Sequence, residues 1–128
     1  PLHIAARVPG EMGGDLCNLL IEAWEKNMTE GLGKGEREKV IKRFLDVTDN
    51  YGWTPLMLAA DAVYDVPPPQ SHQQTLSTKT SLYVIASHKP SLRPRTNFKE
   101  NVFDIARNSG GVHWQSHVLA VLGLTSLP

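Results

Sequence analysis

One cysteine, Cys17, stands in 128 residues, so no disulfide can form within the chain and a bridge-stapled scaffold is excluded. Net charge is lacking as well. Thirteen basic and thirteen acidic residues cancel, which removes the global field that would draw the chain to nucleic acid or an anionic membrane. No apolar run approaches the roughly 20 residues that span a bilayer, and the opening residues carry no secretory-signal pattern. These absences point to an intracellular chain, cytoplasmic or nuclear, with no membrane insertion. What remains is 41% hydrophobic and 20% charged, enough for one domain with a modest core.

The most informative stretch runs from Asp49 to Ala60, Asp-Asn-Tyr-Gly-Trp-Thr-Pro-Leu-Met-Leu-Ala-Ala. Gly52 can take the positive φ of a tight turn. Thr54 is an N-cap residue, and Pro55 falls at the first helical position, where a missing N–H costs nothing. Leu56, Ala59 and Ala60 then give one apolar, small-residue face suited to close packing on a neighbouring helix. Pro1-Leu2-His3-Ile4-Ala5-Ala6 repeats the pattern, and Asn101-Val102-Phe103-Asp104-Ile105-Ala106-Arg107 is a worn third copy.

These motifs resemble the ankyrin repeat signature Thr-Pro-Leu-His-x-Ala-Ala, which fits the first copy without its Thr. The second copy has Met57 at the histidine position, and the third has Asp104 there with Val102 for proline. The resemblance implies an all-α, ankyrin-type helix-turn-helix solenoid with short β-turn fingers, in units of about 33 residues. Pro1 to Pro55 spans 54 residues and Pro55 to Val102 spans 47, so either the units carry insertions, which is the preferred reading, or a weak unit hides between them. The expected division is a single domain over 1–128. Repeat one covers 1–48 with an insertion at 27–45. Repeat two covers 49–95 with a Pro-rich insertion at 61–75, and repeat three covers 96–124. The start in mid-motif at Pro1 suggests a fragment of a longer protein.

Within this frame residues 1–7 are expected as an inner helix and 8–13 as a loop, since Pro9, Gly10 and Gly13 fall there. Leu16, Leu19, Leu20, Ala23 and Trp24 recur at helical spacing, which predicts an amphipathic outer helix capped by Asp15. Residues 27–35 read as an insertion and 36–45 as a further helix. An inner helix is expected over 55–62. The run Pro67-Pro68-Pro69 forbids a helix at 66–74, and an outer helix should occupy 75–88. A finger at 92–101 has Lys99-Glu100 where glycine is usual, so an irregular turn is expected. The last inner helix, 102–108, is turned by Gly110-Gly111, and the final helix ends at Gly123 as C′ residue.

Several constellations invite chemistry and fail on spacing. Gly31-Leu32-Gly33-Lys34-Gly35 lacks the Ser or Thr that must follow the lysine of a phosphate loop. His113 and His117 sit at i, i+4 but have no third ligand near, so a wet helix face is expected rather than a metal site. Cys17 reads as a small buried hydrophobe. His3 stands where the family's structural histidine ties its unit to the neighbouring turn. Asn27-Met28-Thr29 matches a glycosylation sequon by chance, because no signal segment is present. Lys89, Arg93, Arg95 and Lys99, with Phe98 as a stacking aromatic, could touch nucleic acid, but no further basic surface extends the cluster.

There is no nucleophile–base pair, metal cluster or cofactor loop, so neither an enzyme nor a cofactor is expected. The resemblance implies binding of another protein, unidentified from sequence, on a concave face of fingers and inner helices. Tyr51 and Trp53 occupy the variable turn positions, where aromatic residues act as anchors. Met57, Asp61 and Tyr64 are expected to follow them along the inner helix. The alternative is a regulatory or targeting ankyrin segment of a larger enzyme or channel.

Overall fold

In this computed structural model the described residues are 2–8, 10–28, 30–61, 80–124 and 126–127. They fold as helices joined by turns, with no strand among the described residues. The elements are α1 (Leu2–Ala6), α2 (Gly10–Met28), α3 (Lys34–Leu45), α4 (Pro55–Ala60), α5 (Ser81–Ser87) and α6 (Val102–Val121). Helix α6 is broken at Gly111, whose φ of 80° and ψ of −171° lie outside the helical region, so residues before and after it form two helices. The glycine pair thus turns the chain as its sequence predicts.

Two layers result. The short helices α1 and α4 pack on each other, and α4 packs on α6. Behind them α2 packs on α1 and on α5, and α5 packs on α4 and α6. The core between the layers contains Leu2, Ala5, Ala6, Ile21, Leu56, Ala59, Ala60, Leu82, Ile85, Phe103, Ala106 and Trp114, all buried. Alanines at the packing face let the short helices approach closely, and the backbone itself becomes a partner. Ser81 Oγ donates to the Ala6 carbonyl at 2.8 Å, and Trp114 Nε1 donates to the Ala60 carbonyl. Both bonds satisfy carbonyls at helix C-termini that have no partner within their own helix.

The caps explain where the helices begin. Thr54 Oγ1 accepts the Met57 N–H at 3.3 Å and Met57 Sδ accepts the Thr54 N–H at 3.4 Å. Asn101 Oδ1 accepts the Asp104 N–H at 2.9 Å, while Asp104 Oδ2 accepts the Asn101 N–H at 3.1 Å. Thr80 caps α5 in the same sense, so that helix starts at Ser81; its expected first turns, at 75–79, lie outside the described residues. At the other end Gly123, at φ 75°, allows the Leu124 N–H to reach the Leu119 carbonyl and the Gly123 N–H to reach the Ala120 carbonyl. This pair is the Schellman termination, and it folds Leu124 back on the core.

Three expectations need correction. Helix α2 begins at Gly10, not at Asp15, which lies exposed inside it. The missing Cβ of Gly13 leaves room for the Val8 carbonyl, so the glycines permit the helix instead of ending it. The stretch expected as a non-helical insertion, 27–35, is shorter, because α2 continues to Met28 and α3 starts at Lys34; α3 is the helix expected at 36–45, and it packs on α2 through stacked Trp24 and Phe44 rings with centroids 4.6 Å apart. The turn at Lys99 is regular, because Lys99 adopts φ 63° in place of a glycine.

Candidate functional site

The turn before α4 is built from one aspartate. Asp49 Oδ1 accepts the N–H groups of Tyr51 and Trp53, each at 2.9 Å. The Asp49 N–H donates to the Trp53 carbonyl at 2.9 Å, and the Gly52 N–H donates to the Asp49 carbonyl at 3.1 Å. Gly52 sits at φ 82°, as its place in the turn requires.

The same circuit recurs 47 residues later with different residues. Thr96 Oγ1 accepts the N–H groups of Phe98 and Glu100, at 3.1 and 3.3 Å. The Thr96 N–H donates to the Glu100 carbonyl at 2.9 Å, and the Lys99 N–H donates to the Thr96 carbonyl at 2.8 Å. The two turns are joined, because the Asn97 N–H donates to the Tyr51 carbonyl at 2.9 Å and Asn97 Nδ2 donates to the Asn50 carbonyl at 3.2 Å. An added Cβ on Gly52 would run into Asn97, so the close approach of the turns also depends on that glycine. Tyr51 and Phe98 occupy equivalent places and are the most exposed aromatic side chains described, at 66% and 79%.

A second tie holds the first turn to α1. His3 Nε2 lies 3.2 Å from the Trp53 carbonyl. A carbonyl only accepts, so the ring nitrogen must carry the proton. This is the bond expected of His3 from its place in the motif.

Between α1, the first turn and α4 lies an open cleft of about 310 Å³. Its walls are Arg7, Asp49, Tyr51, Trp53, Leu58 and Asp61. Trp53 is half-buried against the core, while Tyr51 projects. Burial pushes the Asp61 carboxyl above its usual range. A hydrogen bond from Ser109 and the nearby Arg7 charge oppose that rise, and the Glu100 charge adds to it. The cleft therefore joins aromatic surface, charge of both signs and a carboxylate held at some cost to stability.

Of the five residues expected from sequence to meet a partner, Tyr51, Trp53 and Asp61 come together here. Met57 does not. It is 2% exposed and spends its sulfur on the Thr54 N–H, which takes it off the surface. Tyr64 lies outside the described residues. Sequence reasoning passed over Arg7 and Leu58 as wall residues. Phe98 was considered only as a stacking aromatic; the recurrence of the turn at a spacing of 47 would have placed it beside Tyr51.

The other constellations resolve simply. His117 stacks on Trp114 with ring centroids 5.1 Å apart, and burial, followed by the His113 charge, pushes its pKa down. It is a packed ring rather than part of a wholly wet face. No group of three or more potential metal ligands occurs among the described residues. Cys17 is fully buried, which pushes its thiol up to about 12. Arg95 Nη1 donates to the Lys99 carbonyl at 2.8 Å, so one member of the basic cluster is engaged in holding the second turn. Among the described residues no helix is long and apolar enough to cross a membrane.

No protein-family model matches the chain, nor does any curated protein or solved structure.

Proposed function

We propose that this chain is a protein-interaction module of the ankyrin type, and that its partner docks on the projecting turns and the cleft beside them. The observation that carries this is the joined pair of equivalent turns. Each is held by a side-chain oxygen taking two backbone N–H groups, each projects an aromatic side chain, and backbone bonds fix one against the other. Rigid presentation lowers the entropy lost when a partner binds. Aromatic residues on such a frame supply contact area with few rotatable bonds.

The His3–Trp53 bond and the caps at Thr54 and Asn101 support the ankyrin reading, because they fall at the motif positions where that reading needs them. The cleft supports the binding reading. It sets a partly buried carboxylate, whose pKa burial raises, beside the Arg7 guanidinium and the Tyr51 and Trp53 rings, the mixture of charge and aromatic surface that binding sites use. Tyr51, Trp53 and Asp61 are the contact residues in this proposal, with Phe98 added from the second turn and Arg7 and Leu58 from the cleft wall.

The test is a binding series on a partner captured by the chain. Tyr51→Ala is the sharper probe than Trp53→Ala, since Tyr51 is mostly exposed while Trp53 also packs on the core. Tyr51→Ala should weaken binding by more than about 1 kcal/mol with an unchanged unfolding midpoint. Unaltered affinity in both Tyr51→Ala and Asp61→Ala would refute the site.

A further inference from the structure

The basic residues of this chain are not spread evenly. Residues 34–46 and 88–99 hold nine of its thirteen lysines and arginines but three of its thirteen acidic residues, so a chain of zero net charge carries a local positive excess. On the sequence, Lys89, Arg93, Arg95 and Lys99 have no basic surface to extend them. The fold supplies one. Asp46 Oδ1, just past α3, accepts the Ser91 N–H at 3.1 Å, which ties the end of α3 to the segment that follows α5. Beside that tie Lys42 and Lys89 line one cleft of about 440 Å³, with Glu38 and Ile41 from α3 and Ser87 and His88 from the end of α5. Both lysines are exposed, as are Lys39, Arg43 and Arg93 close to them in the chain.

Lys89 is held there at a cost. It follows His88, the C-terminal cap of α5, at φ 54°, and its N–H donates to the Ala86 carbonyl at 3.0 Å. This is the left-handed place at a helix end where glycine is the ordinary residue, because a Cβ is strained in it. A lysine kept in that conformation, in the wall of a cleft, is explained by a use for its ammonium.

We propose that this cleft binds an acidic segment of a protein, with ligand carboxylates against Lys42 and Lys89 and an aliphatic ligand side chain on Ile41. Charge complementarity selects an anion. The lining selects against nucleic acid. Among the described residues no tyrosine, tryptophan or phenylalanine lines the cleft for a base to stack on. The Glu38 carboxylate, one turn before Lys42 on the same helix face, also repels a ligand that is charged at every unit. An acidic peptide carries its charge where the lysines stand, and the half-buried Ile41 takes the apolar contact. None of these residues lines the cleft at Trp53, so the inference does not rest on what docks there.

A fluorescent peptide with glutamates in one half and leucine and alanines in the other, titrated with the 128-residue chain, tests it. Binding should weaken as salt is added and vanish when the glutamates are replaced by glutamines. Lys42→Glu and Lys89→Glu should each weaken it by roughly fivefold. Arg107→Glu, the same change of charge at an exposed residue of α6, should leave it unchanged. Lys89→Gly should bind the peptide about two- to fivefold more weakly with an unfolding midpoint no lower than the parent's, a combination that a damaged fold cannot produce. Absence of peptide binding, an equal loss in Arg107→Glu, or a Lys89→Gly variant that binds undiminished or loses binding only with a lowered midpoint overturns the proposal. Tighter binding of a single-stranded oligonucleotide than of the peptide overturns it as well.

Discussion

The imidazole of His3 reaches fifty residues along the chain to the carbonyl of Trp53, at 3.2 Å. That carbonyl also accepts the Asp49 N–H, and the Trp53 N–H is held by the Asp49 carboxylate. The backbone of Trp53 is therefore held on both sides, once from its own turn and once from α1. A turn whose backbone is already ordered in this way loses less entropy when a partner binds, which is what a recognition surface needs.

His3→Ala should destabilise the fold by about 0.5–1.5 kcal/mol, the usual net worth of one such bond. Urea unfolding measures it. Because Asp49 still holds the turn, the variant should remain folded; a midpoint equal to the parent's would show that the bond contributes nothing.

The two turns predict substitutions of opposite sign. Gly52→Ala puts a Cβ at φ 82° and into Asn97, and should cost more than about 1 kcal/mol. Lys99→Gly relieves a side chain held at φ 63° and should stabilise by up to about 1 kcal/mol, reduced by the greater unfolded-chain freedom of glycine. Thermal unfolding of both variants decides the matter. Shifts of the same sign would mean that the turns are not equivalent.

Asp61 links stability to the cleft. Its folded pKa lies above the ordinary value of 3.8, so the ionised form is disfavoured in the folded state. The cost is present at neutral pH and disappears once the group is protonated in both states. Asp61→Asn should therefore raise the unfolding midpoint at about pH 7 and leave it nearly unchanged at about pH 3, while weakening partner binding. A variant that is less stable at neutral pH contradicts this.

His117 gives the second pH dependence. Its folded pKa is below the ordinary 6.5, first through burial and then through His113. The unfolded chain thus takes up the proton more readily, and stability is fully present above about pH 6.5 and falls as pH drops through that value. Urea midpoints measured from about pH 7.5 to 5 should decline in the parent and decline less in His117→Gln. Parallel slopes would remove His117 as the cause.

Much of this was legible in the sequence because the signals were local. Thr54-Pro55 announces a cap and a first helical residue, Gly52 a positive φ, Gly110-Gly111 a turn, and Gly123 a helix stop; each acts through its own backbone. The start of α2 was hidden, since the space that Gly13 leaves for the Val8 carbonyl shows only in three dimensions. Lys99 was hidden for a related reason: a lysine takes a left-handed conformation only when the turn around it, here held by Thr96 Oγ1, demands it. Met57 was expected on the surface from its place along the helix after Tyr51 and Trp53, but its thioether reaches back to the cap. The cleft draws its walls from two stretches of chain, α1 and residues 49–61, so Arg7 could not be assigned to it from spacing alone.

Amide hydrogen exchange with and without the captured partner tests the proposed docking surface most directly. Protection should concentrate at 49–53, 96–100 and the first turn of α4, leaving α2 and α3 unaffected. Protection centred on α2 and α3, with the two turns exchanging as fast as in the free chain, would contradict it.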